Sequence, residues 1–213
     1  VDYTVSLAKM AASHGVKRFV FISSVKVNGE NTNFNEFFTP SDDFIPSDPY
    51  GLSKYEAERQ LLDYSARSGL EVVIIRPALV YGVGVKGNFS TLINVVRKSI
   101  PLPFRSVCNK RSYVSLDNLV DLIKVCLDHP KANNKIFMAS DGLDISTALL
   151  IHKVAFAYGV KTWLFPLSLR FMRLGAKVLN KQSHAARLLD DLRVDSSACK
   201  DLLDWVPPET MDH

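Results

Sequence analysis

The sequence predicts an α/β fold organised around a parallel, doubly wound sheet, and three observations lead there. Two short apolar runs, Phe19-Val20-Phe21-Ile22 and Val72-Val73-Ile74-Ile75, are rich in β-branched and aromatic residues and too short for helices. Continuous rather than alternating hydrophobicity is the pattern of strands covered on both faces, as in parallel sheets. Between them lies one long helical segment, and another helix precedes the first run, which is the strand–helix–strand order of such sheets.

Taken in order, Val5, Leu7, Ala8, Ala11 and Ala12 give the first segment a loosely helical apolar face, and Gly15 stands where a helix wants a left-handed terminus. Residues 17–24 follow as a strand buried on both faces. Residues 25–48 are polar and hold Gly29, Pro40 and Pro46, so they form a long loop of the kind that usually carries function. Asp48 caps the next helix, Pro49 suits its first turn and Gly69 ends it. Residues 70–76 form the second strand, stopped by Pro77. Beyond residue 80 the elements shorten. Helices are expected over 88–98, 117–129 and from Ser146 to Gly159, with one after Pro166 and one capped by Asp195 or Ser196. Short strands are expected over 111–114, 135–139 and 162–165.

The 213 residues suit one domain, or one domain with a small appendage. A hydrophobic fraction of 47% with 23% charged residues excludes a disordered or collagen-like chain. The net charge of +4 is too small and too evenly spread to argue for nucleic acid. Cys108, Cys126 and Cys199 are odd in number and far apart, without a Cys-x-x-Cys, and the histidines lack metal-ligand spacing, so neither a disulfide framework nor a metal site is expected. A reducing cytoplasm fits this usage. The chain begins at Val1, inside a helical segment and without a signal-peptide pattern, which reads as part of a longer protein.

The chemistry concentrates around Tyr50-Gly51-Leu52-Ser53-Lys54. At a spacing of four, tyrosine and lysine share one helix face. An ammonium held beside a phenol favours the phenolate, which suits a general acid/base. By itself the spacing also describes an ordinary surface pair. Its context is a serine pair, Ser23-Ser24, ending the first strand, and ligands of open α/β sheets bind beyond such strand ends. Serine, a long loop, then tyrosine and lysine at a helix start make a candidate triad.

Those residues occur in order with others: Phe19-Val20-Phe21-Ile22-Ser23-Ser24, Gly29, residues 48–54 as Asp-Pro-Tyr-Gly-Leu-Ser-Lys, residues 76–82 as Arg-Pro-Ala-Leu-Val-Tyr-Gly, and Arg111-Ser112-Tyr113-Val114. The ordered set resembles the extended short-chain dehydrogenase/reductases, the NAD-dependent epimerase/dehydratase family, and within it UDP-glucose 4-epimerases and nucleotide-sugar 4-reductases. The resemblance implies a partial Rossmann-type parallel sheet over 1–85, lacking its N-terminal βαβ units. Residues 86–213 would be mainly a smaller α+β substrate-binding portion, with segments returning to the sheet. It implies Tyr50 as catalytic acid/base and Lys54 favouring its phenolate while binding the nicotinamide ribose. Ser24 would hold the reacting sugar hydroxyl, and Ser23 and Pro77 would border the cofactor, NAD or NADP. Asn88, Phe89, Arg111 and Arg187 would grip the nucleotide sugar, the arginines by paired bonds to the diphosphate. A homodimer is expected for the intact enzyme.

Three departures shape the expectation. Val25-Lys26 replaces the Asp-Glu that nucleotide-sugar dehydratases use to remove water, so dehydration is not expected. Leu79-Val80 stands where many relatives have a substrate-binding asparagine. No Gly-x-x-Gly-x-x-Gly phosphate loop occurs in these 213 residues, so the chain alone is expected to be inactive. The function expected is NAD(P)-dependent UDP-hexose 4-epimerisation. A 4-keto-sugar reductase is the alternative enzyme, and a non-catalytic binding fragment the alternative of another kind. Finally, Arg170, Arg173, Lys177 and Lys181 form a basic stripe beside Leu167, Phe171, Met172, Leu174 and Val178. This reads as a solvated face over a buried one rather than as a helix lying on a membrane.

Overall fold

A computed structural model describes residues 1–42, 44–84 and 88–211, with the side chain of Asn88 outside the description. Helix α1 (Asp2–Ser13) leads to β1 (Arg18–Ile22) and a 3₁₀ turn (Val25–Val27). Then come α2 (Pro49–Ser68), β2 (Glu71–Pro77), β3 (Leu79–Tyr81), α3 (Asn88–Arg97), β4 (Arg111–Ser115) and α4 (Leu116–Asp128). The chain continues through β5 (Ile136–Ala139), β6 (Asp144–Ile145), α5 (Thr147–Ala157), α6 (Leu169–Val178), α7 (Gln182–Leu189) and α8 (Ser197–Leu203).

The first sheet has the order β1-β2-β5 and is parallel throughout, with Val20 opposite Val73 and Ile75 opposite Phe137. β2 is central and separates two cores by the pleat alone. Val72 and Ile74 pack with Ala8, Phe21, Ala57 and Leu61 under α1 and α2. Val73 and Ile75 pack with Leu119, Leu122, Phe137, Leu203 and Trp205 under α4 and α8. Helices on both faces give the doubly wound layering that the sequence predicts. A second sheet, β3-β4-β6, carries Tyr113 into a further cluster with Val96, Leu150, Ile151, Val154 and Leu164 from α3, α5 and the segment after them.

Helix α2 starts and stops as its sequence dictates. The Asp48 carboxylate accepts from the Gly51 amide at 3.1 Å, and Gly69 closes the helix at φ 73°. A buried ion pair fixes it to the sheet: Arg76 Nη2 of β2 lies 2.6 Å from Glu58 Oε2, Arg76 Nε donates to both Glu58 oxygens, and Arg76 Nη1 donates to Asn28 Oδ1 at 3.1 Å. Arg18 ties β1 to β2 through Glu71 at 2.7 Å and donates to the carbonyls of Cys126, Leu127 and His129 at the end of α4.

Four expectations are corrected. β1 is half-buried rather than covered on both faces, since among the described residues it pairs with β2 alone and only Phe21 is buried. β2 runs through Pro77 instead of stopping before it, because a strand end tolerates a residue without an amide donor. Residues 162–165 make only an isolated bridge, Leu102 to Leu164, not a strand. After Pro166 there are two helices, divided where Asn180 takes a φ of 53°. The first of them, α6, has no buried residue, so its apolar stripe is not packed against the body of the protein.

Candidate active site

The C-terminal end of β1 opens onto a cavity of about 550 Å³. Ser24, Tyr50, Phe89, Arg111 and Arg187 all line it, although they come from five separate stretches of the chain. Ser24 follows the strand in an extended conformation, and its hydroxyl accepts from the Lys26 amide at 3.2 Å, which starts the 3₁₀ turn. Tyr50 sits in the first turn of α2 and is half exposed, its ring open to the cavity.

Gly51 makes this juxtaposition possible. A β-carbon there would lie 2.9 Å from the Lys26 carbonyl oxygen, 2.6 Å from Asp48 Oδ2 and 2.9 Å from Pro46 Cβ. Any larger residue would push α2 off the loop that carries Ser24. Burial alone would raise the Asp48 carboxyl. The Gly51 amide and the Lys26 ammonium, 3.4 Å away, together hold it below the ordinary carboxylate range.

Lys54, one turn after Tyr50, is half-buried behind the cavity wall. Its Nζ donates to the Ile22 carbonyl at 2.8 Å and stands 4.7 Å from the Phe21 ring centroid and 6.0 Å from that of Tyr50. The ammonium is thus within electrostatic reach of the phenol while its hydrogen bond goes to the strand end. Burial lowers the Lys54 pKa, and Glu58, another turn along the same helix face, opposes that fall. Ser23 is buried, and its hydroxyl has no hydrogen-bond partner among the described residues. Pro77 is buried at the end of β2 and, with Ser23 and Lys54, is not part of the cavity lining.

Arg111, at the start of β4, is 2% exposed. Its Nη1 donates to the Asp190 carbonyl at 2.7 Å, whereas Nε is buried without a partner. Burial depresses its pKa, against the pull of Tyr113, Asp190, Asp191 and Glu30. An arginine still keeps its proton under such a shift, so the wall contains a cation with an unused donor. Burial raises the pKa of the adjoining Tyr113, while Arg111 draws it down. Arg187, on α7, is weakly tied, with Nε 3.6 Å from Glu30 Oε2. Phe89 faces Tyr81 with ring centroids 6.1 Å apart. Asn88 begins α3, and its side chain lies outside the described residues.

Sequence reasoning missed Lys26, Glu30 and His184 as lining residues. Lys26 lies 2.6 Å from Glu30, so the loop and α7 are joined by an ion-pair chain through Glu30. Lys26 and Glu30 are four residues apart, but the link from Glu30 to Arg187 is made by tertiary folding and has no local signal. Leu79 and Val80 line the cavity with apolar surface. No cluster that could hold a metal occurs among the described residues, and no described helix is long and apolar enough to cross a membrane.

Comparison with known proteins adds to this geometry. The family model described as "NAD dependent epimerase/dehydratase family" matches residues 1–139. The chain is 51% identical over 209 residues to a UDP-glucose 4-epimerase of Vibrio cholerae, covering 98% of this chain and 64% of that protein. It therefore spans slightly less than two thirds of that relative's length. It is 29% identical over 143 residues to an N-acetyl-α-D-glucosaminyl-diphospho-ditrans,octacis-undecaprenol 4-epimerase of Escherichia coli O157:H7, covering 66% of this chain and 42% of that one. Its fold is similar to the solved structure of a UDP-glucose 4-epimerase from Thermotoga maritima with UDP-glucose, at a TM-score of 0.72 and 20% identity over 98% of this chain and 64% of the other.

Proposed function

Because this chain belongs to the NAD dependent epimerase/dehydratase family, we propose that it contributes the acid/base and substrate-binding side of a nucleotide-sugar 4-epimerase, with a UDP-hexose as substrate. The observation that carries the reading is that Ser24, Tyr50 and Arg111 share one cavity with Lys54 directly behind Tyr50. The Vibrio cholerae relative, named a UDP-glucose 4-epimerase, supports the choice of substrate.

The residues fit a dinucleotide at its nicotinamide end. The buried Ser23 hydroxyl lacks a partner, and the Lys54 ammonium sits at the strand end with hydrogen-bonding capacity beyond its bond to Ile22. Ser23, Tyr50, Lys54 and Pro77 would hold that part of NAD or NADP. When bound, the nicotinamide supplies hydride acceptance and return at the sugar carbon.

The protein's own residues supply proton movement and placement. Tyr50 takes the proton of the sugar C4 hydroxyl as that oxygen becomes a carbonyl, and returns it to the same oxygen when the carbon is reduced on its other face. The Lys54 ammonium stands 6.0 Å from the Tyr50 ring centroid, where its half-buried charge acts on the ring with less screening than in water. Ser24 donates to or accepts from the same sugar oxygen and fixes its distance from Tyr50. Arg111 places a guanidinium charge in the cavity wall toward the diphosphate, where a charge-assisted bond is strong, and Arg187 provides a second cation. Leu79, Val80, Leu92, Leu102 and Leu192 give the cavity few directional bonds, which suits a sugar that must present both faces. Val25 and Lys26 leave no acidic pair for dehydration.

Replacing Tyr50 with Phe tests the reading. In the full-length protein, turnover between UDP-glucose and UDP-galactose, or between their N-acetylated counterparts, should fall by about 10²–10⁴-fold with UDP binding retained. Near-normal turnover would overturn it. Stoichiometric consumption of NAD(P)H by a 4-keto sugar would favour the reductase instead.

A further inference from the structure

Outside the cavity, the outer surface of α6 has an arrangement that packing does not explain. Amphipathic surface helices ordinarily turn their apolar side inward. Here Met172 and Ala176 are half-buried, while Phe171, Leu174 and Val178 point outward with exposures of 67%, 58% and 76%. At positions i, i+3 and i+7 these three form one stripe. Arg170 and Lys177 lie along one flank of that stripe and are exposed. Leu179, just past the helix, and Trp163, on the segment leading to it, are exposed as well.

The charge pattern tells what kind of surface fits. Between residues 161 and 189 there are six lysines and arginines and no aspartate or glutamate, in a chain whose total charge is only +4. Arg173 is engaged by Asp190 at 2.7 Å and Arg187 by Glu30 at 3.6 Å. Lys161, Arg170, Lys177 and Lys181 are exposed, and among the described residues no carboxylate forms an ion pair with them. An apolar protein partner would match Phe171, Leu174 and Val178 but leave those cations facing apolar surface, where a charge is costly. A water–lipid boundary with anionic headgroups satisfies both sets, the acyl region taking the apolar stripe and the headgroups the cations. An exposed tryptophan beside the helix also suits that boundary.

We propose that α6 is an interfacial helix that docks the protein on an anionic lipid bilayer, lying along the surface without crossing it. α7 packs on α6 and contributes His184 and Arg187 to the cavity wall, so one helix pair joins the docking surface to the site. The inference rests on exposure and charge and stands independently of the chemistry proposed for the cavity.

Co-sedimentation of the purified protein with extruded vesicles tests it. Binding is expected to vesicles of phosphatidylcholine with phosphatidylglycerol, to be weak to phosphatidylcholine alone, and to fall as salt is raised. Replacing Phe171, Leu174 and Val178 together by Ser should lower the partition coefficient by at least about tenfold. Because none of the three is buried, the thermal unfolding profile should not move. Arg170→Gln and Lys177→Gln should each cost about fivefold. Three results would overturn the proposal: no binding to the anionic vesicles, binding that the serine variant retains, or light scattering in which the wild type is a multimer that the serine variant dissolves. The last would assign the stripe to a second copy of the chain.

Discussion

The buried pair Glu58–Arg76 is the sharpest place to test how α2 is held over the sheet. Glu58→Ala removes the carboxylate that accepts from Arg76 Nε and Nη2 and leaves a guanidinium with side-chain exposure of 6%. The remaining partners are Asn28 Oδ1 and, at 3.4 Å, the Pro40 carbonyl, both on Nη1. An uncompensated buried charge costs about 3–5 kcal/mol. With a urea dependence of about 3 kcal/mol per molar, the midpoint should drop by about 1–1.7 M. The double variant Glu58→Leu with Arg76→Met removes both charges and keeps volume. It should lie within about 2 kcal/mol of the parent, well above the sum of the single losses. Urea unfolding followed by tryptophan fluorescence and circular dichroism gives all four corners of the cycle. A loss under about 1 kcal/mol for Glu58→Ala, or simple additivity, would refute the assignment of α2 docking to this pair. Glu58→Gln adds a site readout: with the opposing carboxylate gone, burial acts unopposed and the Lys54 pKa should fall further below its ordinary value than it does in the parent.

Other outcomes follow from the same structure. Arg111→Ala should weaken UDP binding at least about tenfold, since a bond to a charged group is worth about 1.5–3 kcal/mol, while calorimetry with the dinucleotide changes far less. Gly51→Ala should destabilise α2 against the loop and lower turnover, because the added methyl meets backbone and a carboxylate inside 3 Å; an unchanged melting temperature and rate would contradict that contact. Asp48→Ala should cost about 1 kcal/mol as a lost helix cap. In the parent, the folded-state pKa of Asp48 lies below the ordinary 3.8, so its contribution is present above that value and is lost as pH falls through the lower folded value. A thiol-reactive maleimide at neutral pH should label exposed Cys108 quickly and spare Cys126 and Cys199, whose burial pushes both thiols up to about 12; mass spectrometry before and after urea distinguishes them.

Much of this molecule is legible in its sequence where the determinants are local. Asp48, Pro49 and Gly69 mark α2 because capping and a left-handed terminus are set by neighbouring residues, and the apolar run in β2 reports its burial directly. Tyr50 and Lys54 announce themselves by helical spacing, and Ser24 by its position at a strand end. What escaped is what depends on distant partners. β3 and β6 exist only because β4 pairs with them, and His184 and Arg187 reach the cavity beside Glu30 only through tertiary folding. The Glu58–Arg76 pair looks like two ordinary surface charges until the helix is laid on the strand. The outward stripe of α6 misled for the opposite reason: periodicity identifies an apolar face but not the medium that covers it.

The place of β5 in the first sheet has a consequence for synthesis on the ribosome. β2 must wait for its second neighbour until residues 78–135 have been made, because Ile136 to Ala139 supplies the partner for Ile74 to Pro77. At ordinary elongation rates that interval lasts about 3–12 s. During it, Ile74 and Ile75 have one strand edge open, and until residue 128 is made Ile75 has no complete α4 to cover it. Such a topology places the slowest, least local contacts late in folding. The nascent chain therefore spends seconds with an exposed parallel edge, the condition under which chaperone engagement and premature pairing between neighbouring chains compete with completion of the sheet.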